Sequence, residues 1–92
     1  MTICYRPTAL AQLDGIFDYI AQHNPKSADK VLRTIQRSID RLADFPLSGR
    51  PSKVADIREL SIVRYPYIVF YALEVLILRV RHTSQDPEHH LD

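Results

Sequence analysis

The stretch "HNPKSADK", residues 23–30, holds the end of one helix and the start of another. Asn24 is a good N-cap residue, because its side chain can accept a hydrogen bond from an amide of the first turn. Pro25 fits the first helical position, where no amide donor is needed. We predict a helix from here to about Ala43. Its apolar residues form one core-facing stripe at helical spacing: Ala28, Val31, Leu32, Ile35, Ile39 and Leu42.

A second amphipathic helix precedes this stretch, with Thr8 as its predicted N-cap. Gly15 weakens that helix by roughly 1 kcal/mol relative to alanine, and we interpret it as a position of close helix packing. Because the turn between the two helices is short, they must lie antiparallel as a hairpin. The apolar stripe of this first helix comprises Leu10, Leu13, Ile16, Phe17 and Ile20.

Strand patterns flank the helices. "TICYR", residues 2–6, alternates apolar and polar residues and predicts a short strand that Pro7 ends. Proline and glycine in "FPLSGRPSK", residues 45–53, exclude a regular element there. Val, Ile, Tyr and Phe are enriched later in the chain, which favours strands over a helix across 68–80. The three predicted strands cover residues 57–63, 65–73 and 75–82.

The predicted order is therefore β-α-α-β-β-β, an α+β fold. It consists of an N-terminal strand, an antiparallel helical hairpin and then a three-stranded antiparallel sheet, with the hairpin on one face of the sheet. The last two strands turn around Leu73 and Glu74, which is poor chemistry for a tight turn that needs positive φ. The chain has 92 residues and 46% hydrophobic content, which suits a single domain over residues 1–92.

The charge of the chain narrows the range of functions that it can have. The net charge of +1 excludes a chain that seeks nucleic acid strongly. Residues 26–64 nevertheless carry nine Lys and Arg against five Asp and Glu. Part of this excess recurs at three- and four-residue spacing along the second helix, which indicates either a solvated face or a contact with protein or DNA. The residues of this stripe are Lys26, Lys30, Arg33, Arg37 and Arg41.

We expect a cytoplasmic protein without a targeting segment. The first ten residues lack the apolar run of a signal peptide, and the apolar stretch 67–78 is interrupted by Glu74 and too short to span a bilayer. Cys4 is the single cysteine, so no internal disulfide can form. We expect it to be a small buried apolar residue.

Metal and cofactor chemistry have little support. His89 and His90 are adjacent, and adjacent side chains on an extended chain point apart, so they are a poor pair for one metal. Metal-free RNA cleavage is the stronger candidate, because it needs an acid, a base and cations. The last strands offer Arg58, Arg64, Arg79 and Arg81 as cations, with His82 as acid or base.

Strand alternation bears on that candidate. A regular last strand places Arg79 and Arg81 on one face. It places His82 on the other face, together with core-directed Leu76, Leu78 and Val80.

Several segments together resemble a known family of bacterial proteins. They are "ALAQLDGIFDYIAQHNPKSADKVLRTI", "RLADFPLSGRP", "IREL", "YPYIVFY" and "ILRVRHTSQDP", and they cover nearly the whole chain. In this order they resemble the RelE/ParE superfamily of toxins from type II toxin–antitoxin pairs, and within it the ParE branch. The resemblance implies the β-α-α-β-β-β fold and a protein that binds DNA gyrase rather than an enzyme. It also implies a cognate ParD-like antitoxin, and no membrane or sequence-specific nucleic-acid contact by the toxin.

The RelE branch, by contrast, cleaves messenger RNA on the ribosome with a cluster of Lys, Arg and Tyr. Matching the strands puts Tyr67 and Thr83 where that branch carries catalytic arginines, and no tyrosine follows Tyr71. This departure favours ParE. Two alternatives stay open: a RelE-like ribonuclease, and a non-toxic module that only binds antitoxin, which the short "YALEV" hairpin suggests. The ribonuclease alternative would use Arg58, Arg64, Arg81 and His82.

The resemblance also leads to two sets of predicted binding residues. An antitoxin that folds on binding should cover an apolar patch around the helical hairpin and the sheet edge. Its predicted members are Leu10, Leu13, Phe17, Leu47, Ile57 and Tyr71. Polar residues of the last strand and tail are predicted to contact gyrase. They are Arg79, Arg81, His82, Thr83, Ser84 and Gln85.

Overall fold

The computed structural model describes residues 2–85, and its elements follow the predicted order. The two main helices form an antiparallel hairpin, and every strand belongs to one sheet. In chain order the elements are β1 (Cys4–Tyr5), α1 (Pro7–Ala21), α2 (Pro25–Asp40), a 3-10 turn (Arg41–Ala43), β2 (Arg50–Pro51), β3 (Ile57–Ser61), β4 (Tyr67–Ala72), β5 (Leu76–His82) and a final 3-10 turn (Thr83–Gln85).

The sheet has the strand order β1-β5-β4-β3-β2, with β1 parallel to β5 and all other pairs antiparallel. Its two faces differ. Val69 and Tyr71 of β4 pack in one core cluster with Ile35 and Ile39 of α2, so we call this side the helix face. Phe70 alternates with them and points to the far face. The predicted α+β fold with the helices on one face is confirmed.

The helix starts were predicted with mixed success. The amide of Ser27 donates a hydrogen bond of 3.2 Å to Oδ1 of Asn24, so the predicted cap of α2 is confirmed. The predicted cap at Thr8 is wrong, because α1 begins at Pro7 and Arg6 holds the cap position without a side-chain bond. Proline has no amide hydrogen, so at the first helical position it leaves one donor fewer that needs a cap.

The segment 45–53 does contain a strand, contrary to the prediction. Arg50 and Pro51 pair with Glu59 and Arg58 at the edge of the sheet. Proline is tolerated at an edge, because its missing amide would only face outward. Nε of Arg50 donates a 2.9 Å hydrogen bond to the Glu59 carboxylate, which fixes this short pairing.

The hairpin between β4 and β5 turns at Leu73 and Glu74 as predicted, but with an irregular register. Val75 has φ of 54°, in the left-handed region, and its amide donates to the Ala72 carbonyl at 2.8 Å. Tyr71 then pairs with Ile77 while Phe70 pairs with Arg79, so Leu78 is an extra residue in β5.

This bulge changes which residues of β5 reach the core. Ile77 is fully buried and Val80 nearly so, whereas Leu76 and Leu78 are half-buried. The prediction that Leu76 and Leu78 share the core face with Val80 is therefore wrong. Cys4 was also predicted to be buried and is exposed. It alternates with Ile3 and Tyr5, which pack against the core.

Candidate functional site

A cleft of about 860 Å³ lies between α1 and the end of β5. Oε1 of Gln12 accepts a 2.7 Å hydrogen bond from the amide of Val80, which ties α1 to β5 within it. We call this surface the α1–β5 cleft. It is lined by Gln12, Gly15, Ile16, Tyr19, Tyr67, Val80, Arg81, His82 and Ser84.

Gly15 keeps one side of the cleft open. A Cβ built on Gly15 would meet no atom within 4 Å. Our interpretation of Gly15 as a position of close helix packing is therefore wrong. The residue lies beside Tyr19 on the wall of the cleft, where the missing side chain widens the space above the sheet.

His82 is held in a defined orientation within the α1–β5 cleft. Its ring packs edge-on against Tyr67, with ring centroids 5.2 Å apart. Nδ1 accepts a 3.0 Å hydrogen bond from the Ser84 amide and lies 2.7 Å from the Ser84 hydroxyl. Burial, and then the nearby Tyr19, raise the pKa of the Tyr67 hydroxyl above 10.0, so this phenol stays neutral at physiological pH.

The predicted target-binding residues divide between two surfaces. Arg81, His82 and Ser84 line the α1–β5 cleft. Arg79 pairs with Phe70 and lines a smaller hollow of about 210 Å³ on the far face, together with Leu78.

The other two predicted target-binding residues follow in the final 3-10 turn. Thr83 donates its amide to the Pro66 carbonyl at 2.8 Å, and Gln85 ends the turn. Three of the six residues therefore line the α1–β5 cleft, and Arg79 lines the hollow on the far face.

The alternative ribonuclease set is not assembled. The Arg58 guanidinium donates hydrogen bonds to the backbone carbonyls of Gly49 and Leu47, so it supports a loop. Arg58 pairs with Tyr71, whereas His82 pairs with Tyr67 at the other end of β4. Four strand residues separate those positions by about 13 Å along the sheet.

Arg64, the third cation of that set, is exposed between β3 and β4 with φ of 78°. Arg64 precedes Tyr67, the partner of His82, so it lies near the opposite end of β4 from the pairing of Tyr71 with Arg58.

Tyr71 corrects the predicted antitoxin patch. Its side chain is fully buried, so its predicted place in a surface patch is wrong. The hydroxyl donates to the Pro46 carbonyl at 2.7 Å and accepts from the Gly49 amide at 3.0 Å. Gly49 is needed at this point, since a Cβ there would lie 2.6 Å from that hydroxyl. The sequence gives no signal for this contact, because Tyr71 is more than 20 residues from both Pro46 and Gly49 in the chain.

The other members of the predicted patch are more accessible. Leu10, Phe17 and Leu47 are exposed, and Leu13 and Ile57 are half-buried. Leu10 and Phe17 are seven residues apart in α1 and so lie on the same side of the helix. Further exposed apolar residues were missed because they fall off the helical stripe or lie in loops. They are Tyr19, Phe45, Val54, Val63 and Leu73.

Two kinds of feature are not found among residues 2–85. No helix there is long and apolar enough to cross a membrane, and no three His, Cys, Asp or Glu side chains are grouped to hold a metal ion. His89 and His90, which we considered as metal ligands, lie outside the described residues.

Comparison with known proteins identifies the family. A family model described as the ParE toxin of the type II toxin–antitoxin system parDE matches residues 3–87. The chain belongs to the ParE toxin family. The predicted RelE/ParE membership is thus confirmed, and this ParE-family chain is a toxin of a type II pair with an antitoxin partner.

Individual relatives agree with this assignment. A candidate toxin of Sinorhizobium fredii, Y4kP, is 40% identical over 79 residues, which cover 84% of this chain and 82% of Y4kP. Toxin RelE2 of Caulobacter vibrioides is 38% identical over 80 residues, covering 84% of this chain and 89% of RelE2. The second name belongs to the other branch, so the names of relatives leave the toxin's target undecided.

A solved structure of the chromosomal ParDE toxin–antitoxin system from P. aeruginosa shares the fold of this ParE-family toxin. It matches with a TM-score of 0.78 and 28% identity, covering 89% of this chain and 95% of that chain. The two proteins therefore share an α+β fold.

Proposed function

We propose that this ParE-family toxin inhibits DNA gyrase in the cytoplasm and that the α1–β5 cleft is its contact with the target. The observation that carries the proposal is that Arg58 is hydrogen-bonded to a loop and lies apart from His82. Its guanidinium is occupied by the carbonyls of Gly49 and Leu47, and it lies about 13 Å along the sheet from His82. Cations that are spread in this way cannot stabilise one reacting phosphate together.

The cleft, in contrast, presents groups suited to holding a protein surface. Arg81, His82 and Ser84 supply polar groups at its rim, and Tyr19 and Tyr67 supply aromatic surface. Tyrosine and arginine are the residue types that most often dominate binding energy at protein interfaces. Gly15 leaves room for an incoming side chain above the helix backbone.

The test is a supercoiling and cleavage assay with purified toxin, purified gyrase and plasmid DNA. We expect cleaved plasmid to accumulate, and the cognate antitoxin to reverse it. Arg81→Ala should raise the toxin concentration required by about tenfold or more, as expected for an interface anchor. Arg79→Ala removes the same charge from the same strand at a residue that does not line the cleft, and is the matched control.

Three results would contradict the proposal. Gyrase that is unaffected by excess toxin would reject the target, and messenger cleavage on translating ribosomes would then support the ribonuclease alternative. Equal loss from Arg79→Ala and Arg81→Ala would reject the α1–β5 cleft as the contact. A chain that fails to arrest growth when expressed without antitoxin would instead support the non-toxic module.

We further propose that the antitoxin covers the exposed side of α1. Leu10 is 49% exposed and Phe17 36% exposed on that side, and an amphipathic segment that folds on binding would bury both. The double change Leu10→Ser and Phe17→Ser should weaken antitoxin binding by about tenfold or more. Val63→Ser, at an exposed apolar residue between β3 and β4, should leave the affinity unchanged. Equal effects of the two variants in a calorimetric titration would reject this site.

A further inference from the structure

One side of α2 is a line of positive charge, which we call the α2 basic face. Successive members are three or four residues apart, so at 3.6 residues per turn they fall within an arc of about 80°. From first to last they extend about 22 Å along the helix axis. Every member is exposed. The residues are Lys26, Lys30, Arg33, Arg37 and Arg41.

The direction of this face is fixed by packing on the opposite side of the helix. Ala28, Val31, Ile35 and Ile39 are all buried in contact with the rest of the protein. α2 cannot rotate about its axis without exposing these apolar side chains to water, which is unfavourable. The cations therefore point away from the sheet as a permanent feature of the fold.

The cations of the face outnumber the acidic residues around them, which are Asp29, Asp40 and Asp44. Over residues 2–85 the ion pair within 4.0 Å is that of Arg50 with Glu59, which involves no member of the face. Asp40 is near in sequence, but its Oδ1 accepts a 3.0 Å hydrogen bond from Gln36. Gln36 also donates to the Tyr5 hydroxyl at 2.8 Å, on the side of α2 toward β1.

The composition of the face selects one kind of partner. Protein interfaces are centred on apolar and aromatic anchors, and the α2 basic face has none. It also offers no aromatic ring on which the bases of a single strand could stack. Lysine and arginine in a straight row are suited to phosphates, and duplex DNA presents about 13 phosphates over 22 Å of its axis.

We propose that the α2 basic face binds the phosphate backbone of duplex DNA without reading its sequence. The face shares no residue with the α1–β5 cleft, so the inference does not depend on the proposed target. Both surfaces can be occupied together, in which case the toxin holds DNA beside its protein target. Phosphate contacts position a protein on DNA and carry no sequence information.

The test measures the binding of purified toxin, free of antitoxin, to a fluorescent 20-base-pair duplex by anisotropy. Five phosphate contacts give a slope of about −4.5 for log K against log salt. Affinity should then fall several-hundred-fold, on the order of 500-fold, between 50 and 200 mM salt. Arg33→Gln with Arg37→Gln leaves three contacts, a slope of about −2.7 and a fall of about 40-fold.

The matched control removes two exposed cations elsewhere, Lys53→Gln with Arg64→Gln, and should keep the wild-type slope. The proposal is overturned by undetectable binding at 50 mM salt, or by equal changes of slope in the two double variants. Displacement of the duplex by poly-glutamate at equal charge concentration would also overturn it, in favour of an acidic protein. Circular dichroism of both variants establishes that they are folded.

Discussion

The carboxylate of Glu59 accepts a 2.9 Å hydrogen bond from Nε of Arg50 where only 5% of the Glu59 side chain is exposed. The pair joins the two-residue strand β2 to β3. Arg50 itself is 62% exposed, so water still reaches the guanidinium. The pair therefore matters mainly because a buried carboxylate without a partner is costly.

We predict that Arg50→Gln lowers the free energy of unfolding by about 1–3 kcal/mol, since it removes the charged partner of Glu59. Urea denaturation measures the loss. Adding Glu59→Gln should recover part of it, because the double variant no longer buries an unpaired charge. Strictly additive losses in the double variant would mean that the two side chains do not interact.

The two glycines should respond oppositely to the same change. Gly15→Ala should raise the free energy of unfolding by about 1 kcal/mol, the difference in helix propensity, because the added methyl group meets no atom within 4 Å. Gly49→Ala should lower it by about 1–3 kcal/mol through overpacking, because its Cβ would lie 2.6 Å from the Glu59 carbonyl oxygen and the Tyr71 hydroxyl. Thermal unfolding of both variants checks this, and a loss in Gly15→Ala would show that the cleft is closed in solution.

Removing the Tyr71 hydroxyl should loosen the loop at residues 46–49. Tyr71→Phe leaves the Gly49 amide and the Pro46 carbonyl without their partner, at a cost of about 1–3 kcal/mol. Hydrogen exchange at the Gly49 amide should accelerate accordingly. Tyr19→Phe is the control, because Tyr19 is 69% exposed and its loss should change stability by less than about 0.5 kcal/mol.

The raised pKa values of two tyrosines predict how the free energy of unfolding changes in alkali. Burial raises the pKa of the Tyr5 hydroxyl above 10.0; the hydrogen bond from Gln36 lowers it in part, and Asp40 raises it. Burial and then Tyr19 raise the pKa of Tyr67. The folded state therefore holds these two protons more tightly than the unfolded state does.

The sign of the pH dependence follows from that difference. The contribution of the two protonated tyrosines to stability is complete below about pH 10. It is lost as the pH rises through their raised pKa values in the folded state. In Tyr5→Phe and Tyr67→Phe the decline of unfolding free energy above pH 10 should be shallower than in the wild type. An unchanged decline in both variants, measured by urea denaturation between pH 9 and 11, would contradict this.

The parts of the fold that local sequence determines were predictable. Asn24 and Pro25 predict the start of α2 because the cap involves only residues of its first turn. The apolar stripe of α2 predicts which side of the helix is buried. The bulge in β5 was not predictable, because it depends on Val75 adopting positive φ, which no residue preference of valine indicates.

The site was harder to predict than the fold. Arg58 and Tyr71 were assigned to surfaces because their types suit binding, but both bond to the loop at residues 46–49. Those hydrogen bonds join residues that are 11 and 25 positions apart in the chain, so no local sequence pattern predicts them. The predicted alternation at the end of β5 is confirmed, because Arg79 and Arg81 pair with Phe70 and Ile68 on one face and His82 pairs with Tyr67 on the other.

The parallel pairing of β1 with β5 joins Cys4 to Leu76 and Tyr5 to Ile77, so β1 cannot pair in the sheet until β5 has been synthesised. The apolar side of α2 likewise has no sheet to cover it until β4 and β5 have been synthesised. A nascent toxin therefore lacks its α1–β5 cleft until β5 has been synthesised, because β5 is one wall of that cleft. Truncated products that end before β5 lack one wall of the cleft and should therefore be harmless.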